Sequence, residues 1–208
     1  MLTEVVDEGT MFEHLQAEGA EIAYRRLLVD RLPEVVRGPV GGPREVIGRS
    51  DEAAPLAELV SAPEPWTWTN STGDEVHGLL YRPCNPDFGA PAGELPPLLV
   101  MVHGGPTSRS EAAYSSQTQF WTTRGFAVLD VNHGGSTGYG RAYRERLRGQ
   151  WGVVDIDDCV TGAASLATAG IVDGGRLAIR GASAGGYTVL RALTTSTLVA
   201  FGSTRRPR

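Results

Sequence analysis

Gly181-Ala182-Ser183-Ala184-Gly185 follows the short run Arg176 to Arg180 and opens a run of good helix formers, Tyr187 to Leu193. Gly-x-Ser-x-Gly between a strand and a helix has a definite physical meaning. Glycines two residues either side of the serine let strand and helix approach closely, and the turn drives the hydroxyl out at the sheet's edge. A second stretch, Gly134-Gly135-Ser136-Thr137-Gly138, fits the same pattern. It runs on into Gly138-Tyr139-Gly140, a poor start for a helix, and so belongs to a loop. Context therefore selects Ser183, not Ser136, as the candidate nucleophile.

Upstream, His103-Gly104-Gly105-Pro106 follows the apolar run Leu98 to Val102. Acyl transfer needs two N–H groups aimed at the oxygen that gains charge. One comes from the residue after the nucleophile, here Ala184. The other comes from a loop after an earlier strand, and His-Gly-Gly loops serve that purpose. Gly105 is the candidate for this second donor.

The elements between these motifs alternate. Pro97 to His103 reads as a strand buried on both faces, and Ala112 to Arg124 as a helix stopped by Gly125. Phe126 to Val131 is a further strand, followed by a glycine-rich loop from Asn132 to Gly140. A helix starts near Asp155, with Asp157 and Asp158 in its first turn where carboxylates suit the helix dipole, and ends at Gly170. Cys159 falls on its apolar side. Arg176 to Arg180 is a strand and Ala184 to Leu193 a helix. Before them, Trp66-Thr67-Trp68-Thr69 and Val76 to Tyr81 read as a hairpin around the turn Asn70 to Asp74, and Arg82 to Pro97 as a loop. Such alternation implies an α/β fold with a mostly parallel sheet.

The order and spacing of these motifs resemble the catalytic domain of the prolyl oligopeptidase family, especially its acylaminoacyl-peptidase and dipeptidyl-aminopeptidase branch. The residues are His103-Gly104-Gly105-Pro106, Asn132 to Gly140, Gln150-Trp151-Gly152, Asp157-Asp158 and Gly181 to Tyr187. They cover roughly half of the chain. His133 stands where the family usually has an aromatic such as Tyr. The resemblance implies an incomplete α/β-hydrolase fold lacking its last strands. It also implies a serine peptidase acting on short peptides through Ser183, with Gly105 and Ala184 as oxyanion donors. In the family this domain follows a β-propeller. About 60 residues precede the hairpin here, whereas a blade takes ~40–45 residues and a closed propeller at least four blades. The expected division is therefore 1–62, a remnant or linker that could be the end of a lost propeller, and 63–208, a partial peptidase domain.

Composition narrows the rest. The formal net charge is −5, and all 19 basic residues are Arg. A general nucleic-acid binder is not expected, and without Lys there is no P-loop. No apolar run approaches the ~18 residues of a membrane span, and residues 1–10 lack the pattern of a signal peptide, so the expected location is cytoplasmic. Cys84 and Cys159 read as reduced thiols. No cofactor and no metal are called for. Phe12, Leu15, Ile22 and Leu27 have a loose helical spacing, which predicts a helix over 12–28.

A serine hydroxyl needs a base, and the base an orienting acid. Residues 184–208 contain no Asp, Glu or His, and all four histidines lie upstream. The resemblance fades after about Leu193, and the tail 201–208 has no hydrophobic period. These features read as a truncated or frame-shifted product without turnover as an isolated chain. They leave the strand 176–180 as an exposed edge open to self-association. A non-catalytic remnant or interaction module, and a weak esterase using a base such as His133, remain as alternatives.

Overall fold

The hairpin predicted over 66–81 forms, and another antiparallel sheet precedes it in the chain. In this computed structural model, residues 7, 9–50, 55–197 and 201–205 are described. The N-terminal part is a four-stranded antiparallel sheet of β1 (Met11–Glu18), β2 (Glu21–Leu27), β3 (Glu34–Pro39) and β4 (Glu45–Arg49), in that order. The helix predicted over 12–28 is thus corrected to a hairpin. Gly19, at φ 60°, and Ala20 form a two-residue turn that a helix cannot contain. In β2 the side chains of Ile22 and Tyr24 are buried and the intervening Ala23 less so, a period of two. Phe12 and Leu15, which suggested helical spacing, are exposed.

A short 3-10 turn, Ala57–Leu59, leads into β5 (Glu64–Thr69) and β6 (Glu75–Tyr81). Between them Asn70 Oδ1 accepts from the Thr72 and Asp74 amides, as the turn chemistry predicts. The chain then alternates: β7 (Leu98–Val102), α1 (Ser116–Thr122), β8 (Ala127–Asn132), α2 (Gly140–Glu145), α3 (Val154–Thr168), β9 (Leu177–Ala182), α4 (Ala184–Thr195) and β10 (Phe201–Arg205). The second sheet has the order β10-β9-β7-β8-β6-β5. The pairs β10–β9, β9–β7 and β7–β8 are parallel, and β6 joins β8 antiparallel.

All five residues of β7 are buried. Leu98, Val100 and Val102 face one core with Ile156, Cys159 and Ala163 of α3 and Val189 of α4. Leu99 and Met101 face the other, against Trp121 of α1. Helices on both faces explain the unbroken apolar run. Helix α1 is shorter than the expected 112–124. Ser115 caps it, and the Tyr114 amide before it donates to Leu28 O at the first sheet. The tail, which has no hydrophobic period, supplies β10, which runs parallel to β9 from Phe201 beside Ala178 to Arg205 beside Ala182. Strand 176–180, expected as an exposed edge, is therefore flanked on both sides, by β10 and β7, among the described residues. No helix among the described residues is long and apolar enough to cross a membrane.

The first sheet is held by charge as well as by its small core of Ile22, Tyr24 and Val36. Glu34 is buried, and its carboxylate accepts from Arg26 Nε and Nη2 at 3.0 and 2.8 Å and from Arg49 Nε at 3.0 Å. Burial pushes this carboxyl up, but the Arg26 and Arg49 hydrogen bonds pull it down and prevail. Removing one member of such a group strands the other charge. Glu34→Ala is expected to lose about 3–5 kcal/mol, read from hydrogen exchange of the Tyr24 and Val36 amides. An unchanged exchange rate would show that the charges contribute nothing to this sheet.

Candidate active site

Ser183 lies between the end of β9 and the first residue of α4, with φ 54° and ψ −122°. A positive φ is uncommon for a residue other than glycine and costs about 1–3 kcal/mol unless its surroundings hold it. The surroundings are glycines that leave no room for a side chain. A Cβ at Gly181 would lie 2.4 Å from Gly185 O. A Cβ at Gly185 would lie 2.3 Å from Val102 O and 2.7 Å from His103 O. The start of α4 is thus pressed onto the end of β7. Ser183 is exposed, and its side chain makes no capping bond to the helix it precedes.

The His103–Pro106 loop abuts this turn. A Cβ at Gly104 would be 3.3 Å from Ser183 Cβ and 3.8 Å from its Oγ. Gly105, the residue singled out in the sequence, has φ 115°, a conformation open to glycine. Ala184 opens α4. Ser183, Gly105 and Ala184 are therefore brought to one end of the parallel strands. Gly104 was missed in the sequence reading. Its signal is the first glycine of the pair, needed for close approach rather than for a turn.

Ser136, the rejected second match, is fully buried. Its hydroxyl lies 2.8 Å from His103 Nε2 and 2.7 Å from His133 O. Neither histidine turns its bonded nitrogens to Ser183. His103 Nδ1 donates to Gly104 O at 2.8 Å, and His133 Nδ1 to Gly134 O at 2.9 Å. The two rings stack at 4.6 Å. Burial pushes the His103 imidazole down to about 4, with His133 adding to the effect and the Gly104 bond partly opposing it.

The first-turn aspartates of α3 tie the loops together, a role beyond the expected dipole effect. Asp158 accepts from the Gly134 amide at 2.6 Å and from Asn70 Nδ2 at 2.8 Å. Asp157 accepts from the Ser71 amide and hydroxyl. Asp155 accepts from the Gly152 amide at 2.6 Å and from Thr188 Oγ1 of α4. Burial still leaves the Asp158 carboxyl above its ordinary range despite these donors.

A cavity of about 250 Å³ adjoins Gly104 on the α1 side of the sheet, lined by His103, Thr118, Asp130 and Arg180 among others. A larger one of about 970 Å³ lies at the opposite end of the strands, between Pro96 and Gly125, away from Ser183. Burial pushes Asp130 up to about 6, although Ser110 Oγ donates to it at 3.0 Å.

Asp130 and His103 act oppositely on stability. Between pH ~4 and ~6 the native chain holds a proton on Asp130 that the unfolded chain has lost, so this group makes stability fall as pH rises. Over ~4 to ~6.5 the unfolded chain holds a proton on His103 that the native chain lacks, so this group makes stability rise with pH. Asp130→Asn should raise stability at pH 7 by roughly 1–3 kcal/mol and unmask the His103 effect. Urea melts of the variant should then weaken steadily from pH 6.5 to 4. A parallel shift at every pH would contradict the raised Asp130 value.

The sequence profile described as the prolyl oligopeptidase family matches residues 112–204. Dipeptidyl aminopeptidase BIII of Pseudoxanthomonas mexicana is 38% identical over 98 residues, which are 47% of this chain and 14% of that protein. Acylamino-acid-releasing enzyme 2 of Oryza sativa subsp. japonica is 35% identical over 91 residues, 44% of this chain and 12% of that protein. A puromycin-hydrolyzing peptidase of Mycobacterium tuberculosis superposes with a TM-score of 0.90 at 42% identity, over 97% of this chain and 32% of that one. A solved puromycin hydrolase gives the same TM-score and identity over 96% and 30%. The chain thus spans about a third or less of these relatives. Profile, relatives and strand order agree with the motif spacing, and the chain is a member of the prolyl oligopeptidase family, carrying part of its α/β-hydrolase domain.

Proposed function

We propose that the chain carries the nucleophile and oxyanion donors of a serine peptidase acting on short peptides. Ser183 Oγ attacks the scissile carbonyl. The Gly105 and Ala184 amides donate to the oxygen that gains charge. The single observation that carries this reading is the exposed Ser183 hydroxyl on a positive-φ strand-to-helix turn, with Gly104 packed against it. An oxyanion site built of backbone N–H groups needs no reorganisation as charge develops. Relatives named as a dipeptidyl aminopeptidase and as puromycin hydrolases support amide hydrolysis, so dipeptide amides and puromycin are the substrates to assay.

The base and its acid lie outside residues 184–208, which hold no Asp, Glu or His. A second reading is a non-catalytic remnant or interaction module. The N-terminal part fits the first reading's domain division. Its four antiparallel strands in sequential order have the composition of one propeller blade, which supports residues 1–62 as the end of a propeller joined to a partial peptidase domain at 63–208.

A fluorophosphonate probe separates the two readings. Labelling of the wild-type chain that is lost in Ser183→Ala supports the peptidase reading. A folded chain that takes no label at millimolar probe supports the remnant.

A further inference from the structure

We propose that the cavity beside Gly104 on the α1 side of the sheet is a binding site for a free α-amino acid, with Arg180 holding its carboxylate and Asp130 its ammonium.

Strand register sets the site. Met101 of β7 pairs with Asp130 of β8 on one side and with Arg180 of β9 on the other. Residues level with one another on neighbouring strands point to the same face. All three line the cavity of about 250 Å³. Two strand spacings, ~9–10 Å, separate Arg180 from Asp130. Burial and the Ser110 hydroxyl act on the Asp130 carboxyl, and Arg180 does not. The Arg180 guanidinium has no ion-pair partner among the described residues. Two opposite charges thus share one cavity without meeting. The third titratable group on its wall, His103, is held neutral by burial.

Helix α1 closes the facing wall with uncharged polar groups. Thr118 is buried, and its hydroxyl oxygen has no hydrogen-bond partner among the described residues. Buried polar groups in native proteins find partners, so an unpartnered hydroxyl on a cavity wall marks a place for an occupant. Gln117 Nε2, on the same wall, reaches only Met101 Sδ, at 3.9 Å.

The charges choose that occupant. A simple cation at Asp130 is repelled by Arg180, and a simple anion at Arg180 by Asp130. A molecule that carries both charges is attracted at both ends. The ammonium and carboxylate of an α-amino acid are ~3 Å apart. A charge-assisted hydrogen bond of ~2.8 Å at each end gives a span of ~8–9 Å, which matches the strand separation. The cavity has room for several waters at ~30 Å³ each, and so for a small amino acid. An α-amino acid is also the class of product that peptide hydrolysis releases. Gly104, on the cavity wall, packs against Ser183. Binding itself needs no Ser183 chemistry.

Methyl carbon-13 NMR of methionine-labelled full chain reads the site through Met101, with Met11 of the first sheet as an internal control. At about pH 7.5, L-alanine should shift the Met101 signal with a Kd of about 1 mM and leave Met11 unmoved. Alaninamide lacks the carboxylate and N-acetylalanine lacks the ammonium, and each should bind about tenfold more weakly. Arg180→Gln should remove the preference for alanine over alaninamide, and Asp130→Asn the preference over N-acetylalanine. A Met101 signal unmoved by tens of millimolar alanine means that water alone fills the cavity, and overturns the proposal. Equal affinity for all three compounds overturns it too. If Arg180→Gln does not fold, Asp130→Asn and the three compounds decide. A wild type that takes no fluorophosphonate label counts against the peptidase reading and leaves this result standing.

Discussion

The site depends on one steric constraint, the contact between the backbone of α4 and the end of β7. The carbonyls of Val102 and His103 occupy the space a Cβ at Gly185 would need, and Gly185 O occupies the space of a Cβ at Gly181. Two backbones at this distance leave the connecting residue little choice. Ser183 is forced to positive φ, and its hydroxyl projects to solvent instead of capping the helix behind it. Its exposure is a consequence of packing. The same contact brings the His103–Pro106 loop to its side, so nucleophile and oxyanion donors share one cause.

Around this contact the loops are fixed by buried polar groups. Asp155 joins the start of α3 to Thr188 of α4, and Asp158 joins it to Gly134 and Asn70. A buried carboxylate is costly alone and specific when its lone pairs are filled, since few arrangements fill them. These bonds hold the glycine-rich loop, which carries little apolar surface of its own. Asp130 differs. It faces a cavity with one hydroxyl donor from Ser110, and its raised pKa records the shortfall.

Much of the second sheet was legible because its strands are buried on both faces and read as continuous apolar runs. Leu98 to Val102 and Ala127 to Val131 need no partner information to be recognised. The elbow was legible because its glycines carry the constraint in their identity. The first sheet was not. Phe12 and Leu15 are exposed, so their spacing reported no buried face, and Gly19 at the turn was the stronger signal. Strand β10 was also missed. Phe201-Gly202-Ser203-Thr204-Arg205 has no alternating apolar pattern, yet Gly202 lets it pass beneath Leu193 and Val189 of α4, where a side chain would collide. The contact between Ser136 and His103 lay out of reach, because pairing across 33 residues of chain leaves no periodicity to read.

The most direct test of the account compares two adjacent glycines of α4. A Cβ at Gly185 meets the β7 carbonyls, whereas one at Gly186 has its nearest contact at 3.7 Å, with Thr204. Urea midpoints of Gly185→Ala and Gly186→Ala should therefore diverge. Gly185→Ala is expected to lose about 3 kcal/mol or more, and Gly186→Ala to be neutral or gain up to ~1 kcal/mol from helix propensity. Equal midpoints for the two variants would contradict the claim that the close approach of α4 to β7 builds the site.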